Sequence, residues 1–256
     1  MKVVRDAHQL PSGCAFVPTL GALHAGHTSL FQLAKKYSDN IVASIFVNPL
    51  QFDKAEDLAQ YPRTPELDIE LAAASGVTHL WLPTQMEIYP DGFEKCKAGK
   101  IGRIYEGASR PGHFDGVLTV VNRFFQLVRP EVAIFGEKDF QQLHLIRTIA
   151  GDVAIVAAPT IREADGLALS SRNVRLTPED RAAASIIYKA LSQAKSEEEL
   201  RSIVATESAL KLDYADFIDE ETFDHAHEQT RYVRALIAGW INGVRLIDNM
   251  PMGKRV

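Results

Sequence analysis

The chain is 256 residues long, enough to bury a sizeable core as one large domain or as a domain with a smaller appendage. With 46% hydrophobic and 24% charged residues it has an ordinary globular composition, and a net charge of −5 excludes a surface built to neutralise nucleic-acid phosphates while leaving room for a local basic cleft. No apolar run spans a membrane and the first six residues lack the apolar core of a signal peptide, so the expected setting is the cytoplasm, with neither nucleic acid nor membrane as partner. The two cysteines, Cys14 and Cys96, show no metal or redox spacing; Cys14 reads as a small buried strand residue, and Cys96 has no evident role.

Strands are expected at residues 15–19, 41–48, 78–82, 132–135 and 154–158, each nearly continuously apolar and alternating with helical patterns. Strands of that kind are covered on both faces, which predicts a parallel α/β sheet whose ligands gather beyond the strands' carboxyl ends. The first strand stops at a turn, and a helix follows in which His24 and His27 are three residues apart. Residues at that spacing share a helix face, here where open backbone N–H groups and the helix dipole favour an anion, with Gly26 allowing close approach of a phosphate. Two imidazoles aimed at one point can stabilise charge developing on an α-phosphate.

The second strand leads into Asn48-Pro-Leu-Gln51-Phe52, whose two amides suit a ligand bearing hydroxyls and a carboxylate. Thr64-Pro65-Glu66 supplies a cap, a first-turn proline and an acidic first turn for a helix ending at Gly76. From Thr84 to Phe114 the pattern dissolves into a long loop, and a helix then runs from about Val117 to Val128, its Asn122 and Arg123 on the wetter face. The strand at 132–135 enters Gly136-Glu-Lys138-Asp139, so Lys138 stands at a helix start where it can reach a phosphate, with Gln142 one turn further on the same face.

Beyond Pro159 the texture changes. A polar, turn-rich segment from Arg162 to Asn173 contains Ser170-Ser171-Arg172, two hydroxyls and a cationic fork suited to the outer phosphates of a nucleotide. Helices are expected at 178–195 and 197–210, a strand at 215–218, a helix near 230–241 and a last strand at 244–248, together a small α+β C-terminal domain. The domains are placed at 1–158 and 159–256.

Read in order, the segments Pro18–His27, Ser44–Phe52, Tyr61–Thr64, Glu106–Phe114, Phe135–Gln142, Arg162–Asn173 and Arg245–Asn249 closely resemble the pantothenate synthetase family, the ATP-dependent pantoate–β-alanine ligases. The resemblance covers most of the first 180 residues and implies a Rossmann-like nucleotidyltransferase domain with a smaller lid domain. It also implies condensation of pantoate with β-alanine through a pantoyl-adenylate, with ATP as substrate, Mg²⁺ on the phosphates and a homodimer. At matching positions Leu20, Gly21, Ala22, Leu23, His24, Ala25, Gly26 and His27 bind ATP, with His27 as acid and His24 its partner. Gly136, Glu137, Lys138, Asp139 and the backbone at Ile161 hold the nucleotide; Leu169, Ser170, Ser171 and Arg172 hold the triphosphate; Gln51 and Gln142 hold pantoate. The catalytic set is His24, His27, Lys138 and Arg172. The resemblance assigns no protein ligands to the metal.

Leu20 and Leu169 stand where the family usually has methionine, a swap that conserves volume and polarity. The segment ahead of Pro18 is shorter than usual, so part of an N-terminal helix is expected to be missing. The competing readings are a nucleotidyltransferase that adenylylates a phosphate ester, against which the uncharged Gln51 and Gln142 speak, and an inactive nucleotide-binding scaffold, against which intact His24, His27, Lys138 and Arg172 speak. Charge and size disfavour an aminoacyl-tRNA synthetase.

Overall fold

The structure is a computed structural model that describes residues 1–52 and 55–254. It divides into two compact units, Met1–Pro159 and Thr160–Val256. The first unit opens with β1 (Lys2–Val4), a 3-10 turn (Ala7–Gln9), β2 (Ala15–Thr19), α1 (Ala25–Ala34) and β3 (Ile41–Ile45). A second 3-10 turn (Pro49–Gln51) precedes α2 (Ala55–Gln60), α3 (Pro65–Ala74), β4 (His79–Trp81) and α4 (Gln85–Ile88). Then come a turn at Ile101–Arg103, α5 (Glu106–Ser109), α6 (His113–Val128), β5 (Val132–Gly136), a turn at Glu137–Asp139, α7 (Phe140–Arg147) and β6 (Ala154–Ala158).

The six strands form one sheet in the order β1-β4-β3-β2-β5-β6, every pairing parallel. The expected α/β architecture is therefore present, with β2 at the centre between β3 and β5. Alternate residues of β2 serve opposite layers. Ala15 and Val17 pack in a cluster with Phe31 and Ala34 of α1, while Phe16 meets Phe124 of α6 edge-to-face at 5.6 Å, in an aromatic group that includes Trp81 and Phe46. Strand order reverses at β2, so the crevice beyond the carboxyl ends of β2 and β5 is the topological switch point where such sheets hold ligands.

The second unit contains a 3-10 stretch (Ser171–Arg175), α8 (Pro178–Gln193), α9 (Glu197–Val204) and the strands β7 (Lys211–Asp219), β8 (Tyr232–Ile241) and β9 (Val244–Lys254). The strands form an antiparallel sheet in the order β7-β8-β9, and α8 and α9 pack on the face carrying Ala215, Phe217, Val233, Ala235 and Ile237. No described helix is long and apolar enough to cross a membrane.

Several expectations are corrected. The helix placed near residues 230–241 is the central strand β8; both its faces are buried, so its apolar run carries no period of two, and a run of that length reads equally as a buried helix. The helix placed at 197–210 stops at Val204, and the strands at 215–218 and 244–248 extend to Lys211–Asp219 and Val244–Lys254. The helix expected from Val117 begins at His113, and the stretch from Thr84 to Phe114, read as a loop, holds α4 and α5. β1 and its short 3-10 turn lie ahead of β2, in the segment that resemblance described as shortened. Thr64 does not cap α3 with its side chain; its hydroxyl donates to Asp68 Oδ1 at 3.0 Å.

Candidate active site

At the carboxyl end of β2, the Thr19 hydroxyl donates to Ser44 O (2.7 Å) and accepts from Gly21 N (3.3 Å). Gly21 has φ +87, and a Cβ there would lie 3.0 Å from both Asp68 Oδ2 and Ile45 Cγ2, so this turn admits only glycine without rearrangement. Asp68 of α3, only 2% exposed, accepts from Ala22 N (3.0 Å), Leu23 N (2.8 Å) and the Thr64 hydroxyl. A protein carboxylate thus occupies the amides that precede the helix.

His24 is the N-cap of α1. Its Nδ1 accepts from Gly26 N at 3.1 Å, and its own N–H donates to His27 Nδ1 at 3.3 Å. With both Nδ1 atoms accepting, each neutral ring carries its proton on Nε2, and the ring centroids are 4.2 Å apart. The sequence-based picture of open backbone amides cradling a phosphate is corrected here: the N–H groups of Gly21, Ala22, Leu23, His24, Gly26 and His27 all have acceptors within the protein. With Nδ1 accepting, the His27 ring turns its Nε2–H away from the His24 amide. Burial, with smaller contributions from His24 and Lys138 against an opposing pull from Asp139, pushes the His27 pKa down to about 3. The ring is therefore a neutral donor at neutral pH in the unliganded protein.

The same interactions show that Lys138 and Asp139 lie within electrostatic reach of His27, as the adjacency of β2 and β5 requires. Lys138 belongs to the 3-10 turn between β5 and α7 rather than to the helix start, with Nζ 3.9 Å from Asp139 Oδ1. Just beyond it two consecutive glutamines have opposite fates. Gln141 is 5% exposed and fully used, accepting from Glu106 N and donating to Ile101 O and Ile104 O at 2.8 Å each. Gln142 is half-buried and its side chain makes no hydrogen bond among the described residues.

Gln51 closes the turn after β3. Asn48 Nδ2 donates to Gln51 Oε1 (3.1 Å) and to Gly116 O (3.1 Å), while Tyr89 OH donates to Asn48 Oδ1 (2.6 Å). The backbone carbonyl of Gln51 receives His113 Nδ1–H at 2.8 Å and Arg110 Nη2–H at 3.3 Å. Of the two amides proposed from sequence as ligand groups, Asn48 is therefore a fully buried brace, and Gln51 keeps its Nε2–H donors without a partner among the described residues. Asp68, Gln141, His113 and Arg110 were not singled out from sequence as parts of this site. Thr64 and Asp68, one turn apart, carry a local signal, but their partners at 22–23 are distant in the chain.

In the second unit, residues 161–169 fold back on themselves, with Leu169 N donating to Ile161 O and Glu163 N to Leu167 O, both at 2.9 Å. Ser170 follows, its hydroxyl accepting from Arg172 N at 3.2 Å, and Ser171 and Arg172 open the 3-10 stretch. Arg162 and Arg181 are paired with carboxylates, whereas Arg172 forms no ion pair among the described residues.

The sequence profile described as Pantoate-beta-alanine ligase matches residues 1–251. The chain belongs to the pantoate–β-alanine ligase family. A pantothenate synthetase of Acidothermus cellulolyticus is 48% identical over 94% of this chain and 86% of the relative, and one from Chlorobium chlorochromatii is 42% identical over 100% and 98%. The crystal structure of pantothenate synthetase from Thermus thermophilus superposes with a TM-score of 0.93 at 39% identity, covering 99% of this chain and all of that one. The ligase of Francisella tularensis, solved with beta-gamma ATP and beta-alanine, superposes with a TM-score of 0.84 at 37% identity over 98% of each chain. The six-stranded parallel sheet and three-stranded antiparallel sheet are thus the architecture of this ligase family.

Proposed function

We propose that this protein condenses pantoate with β-alanine, using ATP to form a pantoyl-adenylate and releasing AMP and pyrophosphate. The supporting observation is the tied histidine pair: both Nδ1 atoms accept from backbone amides, and burial keeps His27 neutral, with Lys138 as the nearby cation. A carboxylate is a poor acceptor for an amine because its leaving group would be oxide. In the first step a pantoate carboxylate oxygen attacks the α-phosphorus and the bond to pyrophosphate breaks; in the second the neutral amine attacks the acyl carbon, AMP leaves with its electron pair, and the nitrogen releases a proton to solvent. His24, His27 and Lys138 stabilise charge on the α-phosphate in the first step. Bound phosphate raises the pKa of His27, which is the condition for the acid role that the family resemblance implies.

Gln51 and Gln142 hold pantoate, their amides donating to its carboxylate and hydroxyls. Ser170, Ser171 and Arg172, with Leu169, take the triphosphate, and residues 20–27, 136–139 and Ile161 complete the nucleotide contacts. Mg²⁺, when bound, would supply charge neutralisation on the phosphate oxygens. Asp139, an exposed oxygen donor by Lys138, fits a hard cation held mainly by phosphate oxygens, while Asp68 is already occupied by amides. The one His/Asp/Glu cluster with ligand-like spacing among the described residues, Glu197–Asp216–His225, is in the second unit and already holds the Arg201 guanidinium. The protein is proposed to act in the cytoplasm as a homodimer, and sedimentation as a monomer at working concentration overturns the latter.

The test is isotope exchange. With pantoate, Mg²⁺ and labelled pyrophosphate but no β-alanine, the protein is expected to return label into ATP. Formation of ADP, or AMP formation independent of pantoate, overturns the reading.

A further inference from the structure

The closing motif Arg245–Asn249 has no part in the chemistry above, yet Asp248 is 5% exposed and Asn249 is 4% exposed. Asp248 takes both arms of the Arg162 guanidinium, with Nη2 to Oδ1 at 3.0 Å and Nη1 to Oδ2, so two segments 86 positions apart meet in a bidentate fork. The same guanidinium donates to Gly166 O (3.1 Å) and Asn249 O (3.4 Å) and lies 4.9 Å over the Tyr188 ring. Asn249 is held in turn, its Oδ1 receiving Nη1 of the buried Arg234 at 2.6 Å. We infer that Asp248, acting through Arg162, positions the Ser170–Arg172 segment for the phosphates of ATP.

Arg162 is the second residue of the folded-back segment 161–169, whose last residue, Leu169, leads into Ser170. Arg162 bridges to Ala168, Gly166 turns at φ +86, and a Cβ on Gly166 would stand 2.0 Å from the Tyr188 ring, so the turn rests on α8. Arg181 of α8 grips the same turn through Glu163 (2.6 Å) and Asp165 (2.8 Å), and Asn173 Nδ2 donates to Ala168 O at 3.0 Å. The segment before Ser170 is therefore fastened by side chains other than those of Ser170, Ser171 and Arg172. A planar fork sets orientation as well as distance, which a lysine ammonium does not. Turning the fork displaces the base of the motif, and a displacement on the order of 1 Å in a phosphate-holding group costs roughly 100-fold in rate.

The inference rests on the proposed triphosphate role of Ser170–Arg172, so the experiment carries a variant for each. Asp248→Asn keeps size and one acceptor; Arg162→Lys keeps charge and most of the packing, and serves where the first variant fails to fold. Circular dichroism and thermal melting establish folding for each, and KM for ATP and for pantoate are measured separately with kcat. The expected result in a folded variant is an ATP KM raised about tenfold or more and a lowered kcat, with the pantoate KM within about twofold of wild type. A lowered melting temperature with ATP KM and kcat both unchanged shows a fold staple only and overturns the inference. Arg172→Ala separates the two readings. A raised ATP KM in Arg172→Ala with none in Asp248→Asn or Arg162→Lys rejects the positioning role alone, whereas no ATP effect in Arg172→Ala removes the phosphate reading and the inference with it.

Discussion

The loop at residues 20–24 is held by one buried carboxylate, Asp68, whereas the segment at 161–169 is held by two arginines and three carboxylates, Glu163, Asp165 and Asp248. In the first, neutral amides satisfy the Asp68 carboxylate, and Lys138, with Nζ 3.9 Å from Asp139 Oδ1, lies within electrostatic reach of His27. In the second, two guanidinium groups face three carboxylates, and Arg172 stands outside every described ion pair. In both, side chains satisfy backbone polar groups. They differ in where a single substitution does harm: one acceptor governs the first, while the second distributes its hold over several partners.

The sharpest way to break the first region is His27→Ala, which removes a donor proposed to face the phosphates. Turnover is expected to fall by roughly two to four orders of magnitude with the fold intact, and near-normal turnover in a folded variant would sink the assignment. The same variant has a pH signature. Above about pH 6.5 the ring is neutral folded or unfolded; below it the unfolded ring gains a proton first, so the wild type loses stability from there down towards pH 3. Denaturant midpoints should show a shallower loss over that window in His27→Ala.

Asp68→Ala tests whether one carboxylate governs the loop. Leaving two amides without their acceptor is expected to destabilise the protein by about 3 kcal/mol and to lower turnover by about tenfold or more. Asp68→Asn, which keeps an acceptor, should fall between the two. Equal activity in wild type and a folded Asp68→Ala would show that the histidines need no such support.

The smallest effects separate the two glutamines. Gln142→Leu should raise the pantoate KM with little change in melting temperature, because its amide has no described partner in the protein. Gln51→Leu should do both, since its Oε1 receives Asn48 Nδ2. A defect confined to the ATP KM in either variant reverses the assignment.

The sheet of the first unit was legible because β2, β3 and β5 are buried on both faces and bounded by turns, and His24, His27 and Lys138 because each follows a strand. What escaped was whatever depends on distant partners. Asp68 reads as an ordinary acidic residue in a first helical turn, and nothing local says that its oxygens face residues 22 and 23. Gln141 and Gln142 are identical in composition terms and differ only in which way the helix turns them. The strand β8 was hidden by its own burial, since the face opposite the helices also carries apolar residues such as Leu236 and Ala238.

The strand order also constrains how the chain is assembled. β1 finds its partner only when His79–Trp81 exists, and β2, the centre of the sheet, lacks its second neighbour until Val132–Gly136 has been made. Synthesised from the N-terminus, the chain exposes the apolar edge of β2 through more than a hundred residues of elongation. Parallel pairing of this kind is slow because loop closure comes before any reward in contacts. Chaperone dependence of newly made protein is therefore expected to fall sharply once residue 136 has emerged, rather than in step with chain length.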